Sequence, residues 1–132
     1  NTIFGNHSTP VILDGPPDEV IKIDIKNNII DLTRTDGGAQ AKKHVYVDED
    51  NPTVTVENNL YWPGPARFTR TSDRSPVVGD PRFVNPAAGD FRLQRGSAAI
   101  DKATALADVP EDKAAAKRPQ GPAPDMGAYE YR

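Results

Sequence analysis

Two short stretches of this chain alternate strictly between apolar and polar residues. Ile21, Ile23 and Ile25 alternate with Lys22, Asp24 and Lys26, and Val54 and Val56 alternate with Thr53, Thr55 and Glu57. A period of two places one set on an inner face and the other toward solvent, the pattern of a half-buried β-strand. Each stretch ends in paired asparagines, Asn27-Asn28 and Asn58-Asn59, followed by a second apolar run, NIID or NLYW. The chain opens on the related run NTIF, so Asn1, Asn28 and Asn59 align at offsets of 27 and 31 residues. Repetition at this length marks a stacked solenoid. Asparagine tolerates left-handed backbone, so Asn27, Asn28, Asn58 and Asn59 are expected at sharp corners, their amides stacked in a ladder between passes.

The segments between these runs are punctuated for turns. Residues 14–19 (DGPPDE) and 48–52 (DEDNP) read as turns, 34–43 as an exposed loop around Gly37-Gly38, and 45–47 as a short strand. Trp62-Pro63-Gly64-Pro65 ends the repeats, because proline cannot donate to a strand ladder. Beyond it the chain stops repeating. Residues 80–84 and 90–93 read as extended pieces, with Phe83, Val84, Phe91 and Leu93 expected to cover the open end of the core. Residues 97–106 hold the one expected helical turn, with Ser97 as its N-cap. Residues 125–131 are expected to run back along the coils with Met126, Ala128 and Tyr129 inward. A single domain results, with coils over 1–62 and a tail over 63–132.

Composition agrees with short strands and many turns: 13 prolines and 10 glycines in 132 residues, and no long helical stripe. A net charge of -3 gives no general attraction to nucleic acid, and no apolar run is long enough for membrane insertion. The absence of cysteine removes disulfides and thiolate metal sites from consideration. Because the first residues read as the inside of a repeat, the chain is taken as a piece of a longer protein.

The tail reads GDPRFVNPAAGDFRLQRGSAAID over residues 79–101 and RPQGPAPDMGAYEYR over 118–132. These blocks resemble the closing segment of right-handed parallel β-helix proteins of the pectate-lyase-like superfamily. Two departures stand out: Ala98, where the family has proline, and the long 102–117 insert. The resemblance implies an all-β fold, a right-handed parallel β-helix of about three coils with an irregular capping tail. It implies the C-terminal part of a secreted, periplasmic or cell-surface protein acting on polysaccharide. A lyase on acidic glycans is favoured, the isolated piece being inactive; the alternative is a non-catalytic cap or carbohydrate-binding module. It implies no cofactor for this chain, and leaves Ca²⁺ open for the parent protein. In the same family tail Asp101, Asp125 and Glu130 recur, and they are expected to accept backbone N–H groups and pair with Arg118.

Lyases of this fold need a base and a group that neutralises a uronate carboxylate. The candidates for the base are Lys22, Lys26, Arg34, His7 and His44. Hydrolases of the fold use clustered carboxylates, for which Asp24, Asp31, Asp36, Asp48, Glu49 and Asp50 are the sources. Most of these residues read better as solvated strand or turn positions. For binding, Tyr61 and Trp62 offer a stacking face, with Arg67 and Arg70 as hydrogen-bond donors or a carboxylate clamp. No metal site is expected. The partners expected are upstream coils or a second copy at the open strand edge near Asn1, and an acidic polysaccharide.

Overall fold

The computed structural model describes residues 1–5, 9–13, 22–33, 43–47, 54–69 and 71–132. Eleven strands lie within them: β1 (Thr2–Phe4), β2 (Val11–Leu13), β3 (Ile23–Lys26), β4 (Ile29–Asp31), β5 (Val45–Val47), β6 (Val54–Glu57), β7 (Leu60–Trp62), β8 (Phe68–Thr69), β9 (Val77–Val78), β10 (Phe83–Asn85) and β11 (Asp90–Leu93). No α-helix occurs among the described residues; a single 3-10 turn spans Pro86–Ala88, capped by Asn85. The protein is all-β.

Three short sheets are parallel throughout, in the orders β1-β4-β7-β9, β2-β5-β8 and β3-β6. The chain visits them in rotation: two passes each add one strand to every sheet, the third adds only β7 and β8, and β9 then extends the first sheet. Pairing runs beyond Trp62, through β8 and β9 to Val78. The tail then folds back as an antiparallel hairpin, β10-β11.

Alternation along each strand divides the apolar residues into two clusters. Ile30, Leu32, Val45, Val56 and Tyr61 form an interior cluster shared by all three parallel sheets, with Ile3, Val11, Ile25 and Phe68 against it. Ile29 and Leu60, one position earlier on β4 and β7, face the opposite way. They join Phe83, Leu93, Ala99, Ala103 and Met126 in a second cluster. The tail therefore lies along the outer face of the β1-β4-β7-β9 sheet, and the expected cover over the end of the core is corrected. An apolar run such as NIID is buried on both faces because the tail supplies the second layer. Phe4, Phe83 and Phe91 meet edge-on or tilted, with centroids 5.3–6.1 Å apart. Val84 does not take part and is exposed.

The corners form as the asparagines predict. Asn27 and Asn58 have φ of 57° and 55°. Asn28 Nδ2 donates to Asn59 Oδ1 at 2.8 Å, and Asn58 Nδ2 to Asn27 Oδ1 at 2.9 Å, so both columns stack between passes. The tail is held by the expected acids. Asp125 accepts from the N–H groups of Asp101 (2.7 Å) and Tyr131 (2.6 Å), and Glu130 pairs with Arg118 at 3.0 Å. Residues 97–101 make a tight turn, in which Ser97 Oγ accepts from Ala99 N, but no helix follows. Met126 is buried, whereas Tyr129 is partly exposed beneath the Lys113 ammonium; Tyr131 packs on the cluster instead.

Candidate functional site

Tyr61 and Trp62 are neighbours on β7, and a period of two sends them to opposite faces. Tyr61 points inward and is fully buried. Its ring stands edge-on to His44 and Phe68, at 5.1 and 5.2 Å, and its hydroxyl donates to Asp73 Oδ2 at 2.8 Å. Burial first, then the Asp73 carboxylate, push that hydroxyl well above the ordinary tyrosine range. Tyr61 is thus a core residue, and its expected role as a sugar platform is corrected.

The other proposed groups are dispersed. His44 is completely buried; its Nδ1 accepts from the Arg67 backbone N–H at 3.0 Å. Burial, then the Arg67 charge, lower its pKa to about 4, which leaves it a neutral structural group. Arg67 lies beside His44, and its Nε is buried with no hydrogen-bond partner among the described residues. Lys22 pairs with Asp24 at 3.3 Å, and Lys26 lies 3.7 Å from Asp24 and 3.4 Å from Glu57. Two lysines engaged with carboxylates on a solvated strand do not make a base poised for proton abstraction. His7, Arg34, Arg70, Asp36, Asp48, Glu49 and Asp50 lie outside the described residues.

Trp62 belongs to a different arrangement. Phe4, Asp31 and Trp62 are directly opposite one another across β1, β4 and β7. They form a row on the outer face, aromatic–carboxylate–aromatic, at inter-strand spacings of about 4.8 Å. The tail supplies the facing wall with Asp80, Pro81, Arg82, Phe83, Pro86 and Gln94, enclosing a groove of about 390 Å³. Asp80 Oδ1 accepts from Arg82 N at 2.8 Å, which fixes Arg82 in a left-handed conformation with φ of 47°. The Gln94 amide donates to Phe83 O at 3.0 Å, leaving its carbonyl oxygen as an acceptor.

Asp31 is the buried polar group of the row, 3% exposed, and Oδ1 accepts from Thr33 N at 2.7 Å. Burial raises its carboxyl above the usual carboxylate value; the Thr33 bond opposes this and the Asp80 charge adds to it. The groove thus combines apolar ring faces with acceptors, and Arg82 in its wall directs Nη1 to Arg95 O at 3.3 Å. Such a set can stack on a sugar ring and hydrogen-bond its hydroxyls.

Asp31 and Trp62 were readable as candidates from sequence. Phe4, Asp80 and Gln94 were not, because nothing local marks them as meeting across the tail. The class thus defined is an all-β protein of three short parallel sheets with a tail-walled polar–aromatic groove. Comparison with known protein families, with curated proteins and with solved structures returned no match.

Proposed function

We propose that this chain forms the closing coils of a right-handed parallel β-helix and serves as a non-catalytic, carbohydrate-contacting module of a secreted or surface polysaccharide-active protein. The rotation of the chain through three parallel sheets, with asparagine ladders at the corners, supports the coil reading. The observation that carries the function is the in-register row Phe4–Asp31–Trp62 beneath the tail wall. Sugar recognition draws on this combination of ring faces and fixed hydrogen-bonding groups. The non-catalytic reading is favoured because the described candidate bases are either paired with carboxylates or buried and neutral.

A second reading makes the parent a lyase on acidic glycans. Its support, beyond the tail resemblance, is Arg82 in the groove wall, since a guanidinium suits a uronate carboxylate. Glycan-array binding followed by titration calorimetry tests both. Trp62→Ala is expected to weaken binding by about tenfold, the loss of roughly 1.4 kcal/mol of stacking, and Trp62→Phe to restore most of it. Arg82→Ala should weaken acidic glycans alone if the second reading holds. Absence of any glycan binding sinks the module reading, and release of unsaturated uronate by this chain sinks its inactivity.

A further inference from the structure

The sheet β3-β6 has two strands; Arg74 N meets the far side of β6, donating to Val56 O at 3.1 Å, and among the described residues no strand pairs with the outer edge of β3. The two strands pair in strict register, Ile23 with Val54 through Lys26 with Glu57. Asp24 therefore stands opposite the neutral Thr55 and Lys26 opposite Glu57, with the ammonium 3.4 Å from the carboxylate. A further strand on β3 would best place a glutamate above Lys26, which Coulomb attraction favours on an exposed face.

The corner next to β3 repeats in the same way, and the tail holds it. Asn58 Nδ2 donates to Lys102 O at 2.9 Å. Asn27 Oδ1 accepts from Thr104 N at 3.0 Å, and Asn27 Nδ2 donates to Thr104 O at 2.7 Å. Above Asn27 the column gives way to a groove of about 440 Å³, with Asn1, Lys26 and Asn27 on one wall and Thr104, Leu106 and Arg118 on the other. Arg118 is a fixed part of that lining, its guanidinium engaged with the tail. Nη1 and Nη2 donate to the carbonyl oxygens of Asp125 and Gly127, at 2.6 and 2.9 Å. Its side chain is 10% exposed, and Nε is buried with no hydrogen-bond partner among the described residues.

We propose that this groove is the seat of one more corner asparagine, delivered by an extended segment that adds in parallel to the open edge of β3. The segment alternates apolar and polar residues and ends in Glu-Asn, as residues 53–58 do. Its glutamate pairs with Lys26, and its asparagine enters the groove beside Thr104, stacking on Asn27 as Asn27 stacks on Asn58. The inference rests on the coil reading and is independent of the carbohydrate reading.

The test joins Thr-Val-Thr-Val-Glu-Asn to the amino end of the full chain and compares urea unfolding with and without it. Supplying the segment covalently holds it at the edge at high effective concentration. The expected result is a higher unfolding midpoint. Replacing the added asparagine by alanine should remove at least half of the gain, and Leu106→Trp, which fills the groove, should do the same. Leu106 is exposed, so that substitution leaves the parent chain folded. No gain, or equal gain with alanine, overturns the proposal. A dimer of the unmodified chain in sedimentation equilibrium that the added segment abolishes overturns it too, since a second copy would then be the occupant. Glycan affinity of the same extended chain reads the carbohydrate proposal separately.

Discussion

The Tyr61 hydroxyl donates to Asp73 Oδ2 across 2.8 Å, joining the interior core to the end of the asparagine ladder. The same carboxylate accepts from Asn59 Nδ2 at 2.8 Å and from the backbone N–H groups of Asn58, Asn59 and Ser75. In the Asn28–Asn59 column each amide donates toward Asp73, from Asn28 to Asn59 and from Asn59 to the acid. An ionised carboxylate only accepts, so it ends the series without leaving a lone pair or proton stranded.

Removing that terminator should cost more than removing one of its donors. Tyr61→Phe is expected to lose about 1.5–3 kcal/mol, the value of a hydrogen bond to a charged group. Asp73→Ala orphans several buried donors at once and should cost at least about 3 kcal/mol. Chemical denaturation of both variants checks the order. Equal losses would place the ladder's stability elsewhere.

His44 should make stability depend on pH. Its pKa is about 4 in the fold, against about 6.5 in an unfolded chain. Between those values the unfolded state binds the extra proton. Stability therefore falls as pH drops from about 6.5 toward 4, by on the order of 2–3 kcal/mol. Urea midpoints of the native chain and His44→Asn across this range should converge in acid, because the asparagine does not titrate. Parallel curves would refute the assignment.

The lateral seat of the tail depends on Gly127. Its φ is +89°, and a Cβ there would meet Ile29 Cδ1 at 2.6 Å and Thr2 Oγ1 at 2.8 Å. Gly127→Ala combines backbone strain with overpacking and should destabilise by about 2–4 kcal/mol. Near-ultraviolet circular dichroism and thermal melting report whether the tail lifts. A neutral outcome would mean that the tail does not press on β4.

Arg118 and Glu130 hold the tail's last turn. Glu130 also accepts from the N–H groups of Gln120 and Asp125, at 3.0 and 2.9 Å, with its side chain fully buried. Breaking a buried pair from one side leaves an uncompensated charge, so Arg118→Met should cost about 3–5 kcal/mol. Amide hydrogen exchange in residues 118–131 should rise well before the parallel sheets open. Uniform loss of protection would show that tail and sheets unfold as one unit.

Several features were legible from residue types alone. Strands β3 and β6 follow from strict alternation, and the corners from the Asn-Asn pairs, since few other side chains accept φ near +55°. The anchoring by Asp125 and Glu130 was expected from the tail's resemblance to a known closing segment. The direction in which the tail packs was not. Ile29 and Ile30 are both apolar, so nothing in the run distinguishes an inner from an outer face.

The sequence by itself determined the period, the corners and the all-β character, because each depends on local backbone preference and residue spacing. Tertiary structure decided which of two adjacent aromatics is available. Tyr61 is consumed by the core and Trp62 faces the groove, a choice set by strand register. It also decided that Asp73, indistinguishable in composition from its exposed neighbours, closes a ladder, and that Asp31 and Asp80 line one groove. Those relationships join residues from different passes and the returning tail, and only packing brings them together.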